Sequence, residues 1–297
     1  ASIVYPWFLR PPPTRDQLRA SVAGTDDAAF LDRLMTVSMG ELVREFFEDE
    51  AVRGSFLQVQ DVGDPEASGG AFCYTHIGCD AFSRPEDVGI VRGGMGMIAN
   101  SLADSARAHG VRIRTGTVVE RIVLDDDGAR GVVLDDGTEI SSKLVVSGAD
   151  PKRTLLGLVG PDRLPPDSLT AARQMTTRTG YLKFHAALDR LPDFSQYFPD
   201  GYDPRYIASM KICPSMEYYA KAWNDAASGR PAAEPVMEVQ IPSVIDDTLT
   251  EPGRHVMSVW GLYAPVHPQD GDWDQLRESV GEALIDVLCR YAPDLRD

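Results

Sequence analysis

This chain is short of positive charge. It holds 29 lysines and arginines against 45 aspartates and glutamates, for a formal net charge of −16. Only five of the cations are lysine: Lys143, Lys152, Lys183, Lys211 and Lys221. A surface this acidic repels phosphate backbones, so no nucleic-acid partner is expected. Cysteine is also scarce. Cys73, Cys79, Cys213 and Cys289 make no C-x-x-C pair and no metal-like spacing with histidine. They read as free thiols in a reducing compartment, and no metal site is expected. The compartment implied is the cytoplasm, or the mitochondrial matrix in a eukaryote. His76, His109, His185, His255 and His267 have no Ser, Cys or Asp partner at motif spacing, which leaves hydrolytic triads and zinc sites without support. No apolar run approaches the roughly 20 residues that span a bilayer. The opening ASIVYPWFLRPPP has neither a basic n-region nor a cleavage pattern and is not expected to be a signal peptide.

What is present is an ordinary globular composition, 43% hydrophobic and 25% charged. The richest stretch is Gly93 to Leu156. A glycine turn opens a helix that stops at Gly110, where a left-handed cap suits glycine. Short strands are expected at Val111 to Arg114, Val118 to Leu124, Gly131 to Leu134 and Thr138 to Ile140. Asp125 to Gly128 and Asp136-Gly137 supply the turns between the last three. Leu144 to Val146 reads as a buried strand that breaks into the small-residue turn Ser147-Gly148-Ala149. Asp150 is placed to cap a helix starting at Pro151.

Around this stretch, three regions are expected. Residues 1–87 form a helical cap, with Thr14 capping one helix and Ser38 with Glu41 boxing another. In the second of these helices Leu42, Val43, Phe46 and Phe47 share an apolar face. Residues 88–158 hold the αβ segment. Residues 159–297 open with a helix capped at Asp167 or Ser168 and continue with a strand at Tyr181 to Leu188 and a helix at 214–227. Strands at Val236 to Ile241 and Val256 to Tyr263 and a last helix from Trp273 to Tyr291 complete them, suggesting a mixed sheet with helices on one face. The fold class is thus α/β in the broad, α+β sense. Along Tyr181 to Leu188 the alternation puts Leu182, Phe184, Ala186 and Leu188 on one face. Tyr181, Lys183 and His185 take the other. The Asp-rich pairs at 125–127, 135–136 and 246–247 read as turn formers.

The order helix, G-x-x-I-x-T-x-x-x-V-x-x-I, GV-L-DG, VVSGADP resembles the FAD-dependent phytoene desaturase and amine oxidase superfamily. Within it, Thr36 to Phe47 and Pro235 to Tyr263 are most similar to the phytoene-dehydrogenase-like branch, that of the pyridine nucleotide-disulfide oxidoreductase domain-containing 2 proteins. The resemblance implies a partial FAD-binding domain (helix, β-meander and buried strand), a helical cap and a substrate domain. It implies an FAD cofactor, with Val119, Ser147, Gly148 and Ala149 passing close to its ADP half. It makes Lys183 and His185 candidate catalytic residues beside the flavin, the histidine being a side chain that ordinarily titrates near neutrality. The partner implied is a small apolar or amine-type substrate, and a homo-oligomer is compatible with the sequence.

Members of this superfamily open with a strand, G-x-G-x-x-G and a helix, and nothing before Gly69 fits that pattern. The chain therefore reads as an internal fragment, expected to bind FAD weakly or not at all alone and to be inactive. Two alternatives stand beside this. One is a non-catalytic module binding an apolar ligand or a partner. The other is an NAD-binding Rossmann domain built on Gly94-Met95-Gly96, although no carboxylate ends its second strand.

Overall fold

The computed structural model describes residues 3, 5–7, 10–57, 63–73 and 90–296. His76 and Cys79 lie outside them. The chain forms two compact units, Ala1–Met97 with Arg178–Asp297, and Ile98–Thr177.

The first unit begins with four short helices: α1 (Arg15–Ser21), α2 (Asp27–Leu34), α3 (Met39–Phe46) and α4 (Glu50–Phe56). Local sequence sets their starts. Thr14 with Gln17 and Ser38 with Glu41 form complete capping boxes, and the Asp49 carboxylate accepts the Val52 N–H. The apolar face of α3 differs from the expected one. Met39, Gly40 and Val43 are its buried residues, whereas Phe46 is 67% exposed. The helix is only two turns long, so Phe47 leaves the helical register and stacks on Phe56 at 4.7 Å instead.

The chain then enters the second unit through α5 (Gly96–Ala108), which ends at Gly110 with φ +83°. The Val111 N–H reaches back to the Ala106 carbonyl and the Gly110 N–H to Arg107, closing the helix as a left-handed glycine cap does. The antiparallel meander β1 (Val119–Asp125), β2 (Gly128–Leu134), β3 (Glu139–Ser141) follows. Next come a π-helical segment Arg153–Val159 and α6 (Pro166–Gln174). Two expected strands do not form: residues 111–114 and 144–146 are irregular. Leu144 and Val146 are 74% and 84% exposed. Neither segment finds a neighbouring strand among the described residues, and an extended chain without a ladder leaves its backbone groups to water. Helix α6 also starts differently. Pro165 and Pro166 set its first turn, and neither Asp167 nor Ser168 acts as a side-chain cap.

The return to the first unit builds a four-stranded sheet from β4 (Thr179–Leu188), β5 (Ser209–Ile212), β6 (Val236–Gln240) and β7 (His255–Pro265). Helix α7 (Met216–Ala227) joins β5 to β6, and α8 (Trp273–Cys289) follows β7. The strand order is β4-β7-β6-β5 and every pairing is antiparallel, where a mixed sheet was expected. Alternation reports which face a side chain takes but not the direction of the strand. The loop 228–235 after α7 sends β6 back against β5. One face of the sheet packs Phe184, Met237, Val239, Met257 and Val259 against Leu284, Val287 and Leu288 of α8. Gly261 lets α8 in, since a Cβ there would sit 3.2 Å from the Leu284 side chain. On the other face α7 covers one end, with Tyr219, Ala222 and Ala226 against Val236, Leu262 and Tyr263. The rest of that face is polar.

Candidate functional site

In the second unit, the turn after residue 146 is held by its own side chains. The Ser147 hydroxyl accepts the Ala149 N–H at 3.3 Å and lies 2.7 Å from the Thr154 hydroxyl. Asp150 accepts the Arg153 N–H at 3.1 Å, which is the cap read from the sequence. This fixed turn faces the start of β1 across a cleft of about 430 Å³. All four residues singled out as cofactor contacts, Val119, Ser147, Gly148 and Ala149, line it, together with Val118, Ile122 and Arg153. The volume falls within the roughly 300–1,000 Å³ range of small-molecule sites. The lining suits one part of a dinucleotide: apolar walls for a flat ring, small residues for close approach, and one guanidinium for negative charge. A Cβ on Gly148 would meet nothing within 4 Å, so packing within the protein does not require glycine there.

In the first unit, the polar face of the sheet gathers a second set. Register places Lys183 opposite Trp260, Trp260 opposite Glu238, and Glu238 opposite Lys211, one residue from each strand in a single row. The Lys183 ammonium stands 4.2 Å above the centre of the Trp260 ring, and Tyr181 meets the same ring edge-on at 5.4 Å. Partial burial lowers the Lys183 pKa, and the Glu238 charge opposes that shift. At the row's far end the Lys211 ammonium donates to the carbonyls of Ser55 (3.2 Å) and Leu57 (2.9 Å), closing the end of α4. Burial lowers its pKa too. His185 lies in the next row, opposite Ser258. The face predicted from Tyr181, Lys183 and His185 is thus real and open to solvent along β4. Trp260 and Glu238 were missed. Their signal was the alternation in VMEVQ and HVMSVWGLY, but only the register brings them to Lys183.

The glycine turn at 93–94 belongs elsewhere. The Gly93 N–H donates to the buried Asp246 carboxylate at 2.6 Å, and Arg92 pairs with Asp247 at 3.6 Å. Asp246 also accepts the Thr248 hydroxyl and N–H, and these bonds, the hydroxyl first, hold its carboxyl below the usual range. Asp246 is therefore a clamp as well as a turn former. Among the described residues no parallel βαβ unit surrounds this turn.

Residues 19–272 match the family model of flavin containing amine oxidoreductases. The chain belongs to that family. It is 30% identical over 275 residues to pyridine nucleotide-disulfide oxidoreductase domain-containing protein 2 of Rattus norvegicus, covering 89% of this chain and 47% of the relative. It is 27% identical over 243 residues to the zeta-carotene-forming phytoene desaturase of Myxococcus xanthus, covering 78% of this chain and 41% of that one. The chain spans about half the length of the curated relatives it matches. An oxidoreductase from Methanosarcina mazei shares the fold, with a TM-score of 0.59 at 16% identity over 98% of this chain and 60% of the other. Among the described residues no helix of this amine oxidoreductase family member is long and apolar enough to cross a membrane.

Proposed function

We propose that the chain supplies the adenosine-side wall and the substrate floor of an FAD-dependent oxidoreductase acting on an apolar or amine-type small molecule. The observation that carries this is the meeting of Val119, Ser147, Gly148 and Ala149 on one cleft of a family member. When bound, FAD supplies the hydride acceptor. Val118 and Ile122 would flank the flat ring of the adenosine half. The turn at 147–149, already braced by Ser147 and Thr154, would admit its sugar closely, and Arg153 would meet negative charge. In the first unit, Trp260 and Tyr181 offer apolar surface to a substrate, while Lys183 and His185 set the polarity and proton inventory of the floor.

Alone, the chain is expected to hold FAD weakly and to turn nothing over. Hydrogen exchange with saturating FAD or ADP tests the wall. Protection confined to residues 117–119 and 147–149 is the expected result, and its absence would remove the proposal. A purified chain carrying one tightly held flavin would refute the weak-binding part. The non-catalytic module is the reading that survives if nucleotide protects nothing while apolar ligands still bind.

A further inference from the structure

We infer that the polar face of the first unit's sheet seats an anionic headgroup, so that the substrate class is an amphipathic carboxylic acid. The carboxylate would lie at Lys183, and its apolar body over Trp260 and Tyr181. This rests on the reading of that face as a substrate floor.

The lysines of the first unit differ in what they already hold. Lys211 is committed to two carbonyls of the α4 end. Lys221 is committed to Glu234 at 2.8 Å. Lys183 has no ion-pair or hydrogen-bonding partner among the described residues. Its contact is the face of Trp260, which steadies an ammonium without using its three donors. A steadied cation with free donors is matched by a carboxylate, since hydrogen bonds between ionised partners are about twice as strong as neutral ones. Next to it, Trp260 is 38% exposed and Tyr181 is 40% exposed, two large ring surfaces left open to a ligand's apolar part. Leu182, Phe184 and Ala186 point to the opposite face, so the apolar area on this one comes from the rings. On the Lys183 side of the ring an ammonium-bearing ligand fits poorly, because Lys183 already occupies the face that would attract it. Glu238, opposite Trp260 on the other side, is the charge in this row that would draw an amine, so the carboxylate seat is confined to the Lys183 side.

The test titrates the 297-residue chain at physiological salt with dodecanoate, dodecanol and dodecylamine below their micelle concentrations, reading tryptophan emission. Dodecanoate is expected to bind at least about tenfold more tightly than dodecylamine. Trp260→Phe should remove the signal, locating the site. Lys183→Met should erase the preference for the acid while leaving dodecanol binding unchanged, and Lys183→Arg should keep it. The preference should also fade as pH rises through the alkaline range, earlier than for an ordinary lysine. Equal or tighter binding of the amine, a preference that survives Lys183→Met, or no binding of any probe overturns the inference. Nucleotide protection of 147–149, measured on the same protein, stands or falls separately. An acid preference without that protection leaves this seat intact and removes the flavin wall, and the reverse removes only the seat.

Discussion

Helix α8 presents Leu284, Val287 and Leu288 to a sheet that buries all three, while α5 runs for 13 residues without burying one. The same contrast extends across the two units. Among the described residues, the buried apolar clusters, built around Leu31, Tyr219 and Met257 among others, lie in the first unit. The second buries Val133, Leu134 and Ala172 and leaves Leu102, Val111, Ile113, Val118, Leu144 and Val146 at 41–84% exposure. Apolar area stabilises by about 25 cal/mol per Å² only when it leaves water, so the second unit holds unrealised stabilisation on its surface. The first unit is a finished core. The second keeps most of its large apolar side chains in contact with solvent.

The largest test of this contrast compares two leucines. Leu288→Ala is expected to destabilise the first unit by about 2–5 kcal/mol, whereas Leu102→Ala should stay within about 0.5 kcal/mol by thermal or denaturant unfolding. Similar losses at both would break the comparison. Next, Tyr219→Phe removes a hydroxyl that lies 2.7 Å from that of Tyr263 in the core. A loss of about 1–3 kcal/mol is expected, read as a lower denaturant midpoint. Third, a Cβ on Gly40 would sit 2.6 Å from the Glu66 carboxylate, which Arg44 grips with both terminal nitrogens. Gly40→Ala should cost at most about 1 kcal/mol through that exposed pair. Arg44 holds the Glu66 pKa below its ordinary value. The pair's contribution is therefore present above about pH 4.3 and disappears as pH falls toward the lower folded value, so the variant should lose less stability than wild type over that window. The smallest effect is at His255, whose pKa burial lowers. The unfolded chain takes up that proton first, so stability should slip as pH drops below about 6.5, and a His255→Gln variant should lack the slip.

How much of this was readable in the sequence follows from how far each signal reaches. Caps at Thr14, Ser38 and Asp150 were legible because a cap is decided within three residues. Val119 and Ser147 to Ala149 line one cleft, and they were singled out together because the resemblance is carried by one continuous stretch. The strands at 111–114 and 144–146 were not, because a strand exists only with a neighbour. Trp260 and Glu238 came to Lys183 through register across three separate strands, which no local pattern encodes. The antiparallel sense of β5 and β6 was hidden for the same reason, as was the second duty of Asp246, whose partner Gly93 lies 153 residues away.

Lys211 has a consequence for the order in which the molecule is made. Its ammonium closes the carbonyl end of α4 across sequence separations of 156 and 154 residues. Contacts of such high order form late, because a long loop must close before they return any stabilisation. On the ribosome, α4 therefore emerges well before the amine that will fasten its last turn. Until then its end relies on solvent, and Lys211 adds a polar fastening to the apolar core that Val43 and Leu57 share with Tyr219 and Leu262.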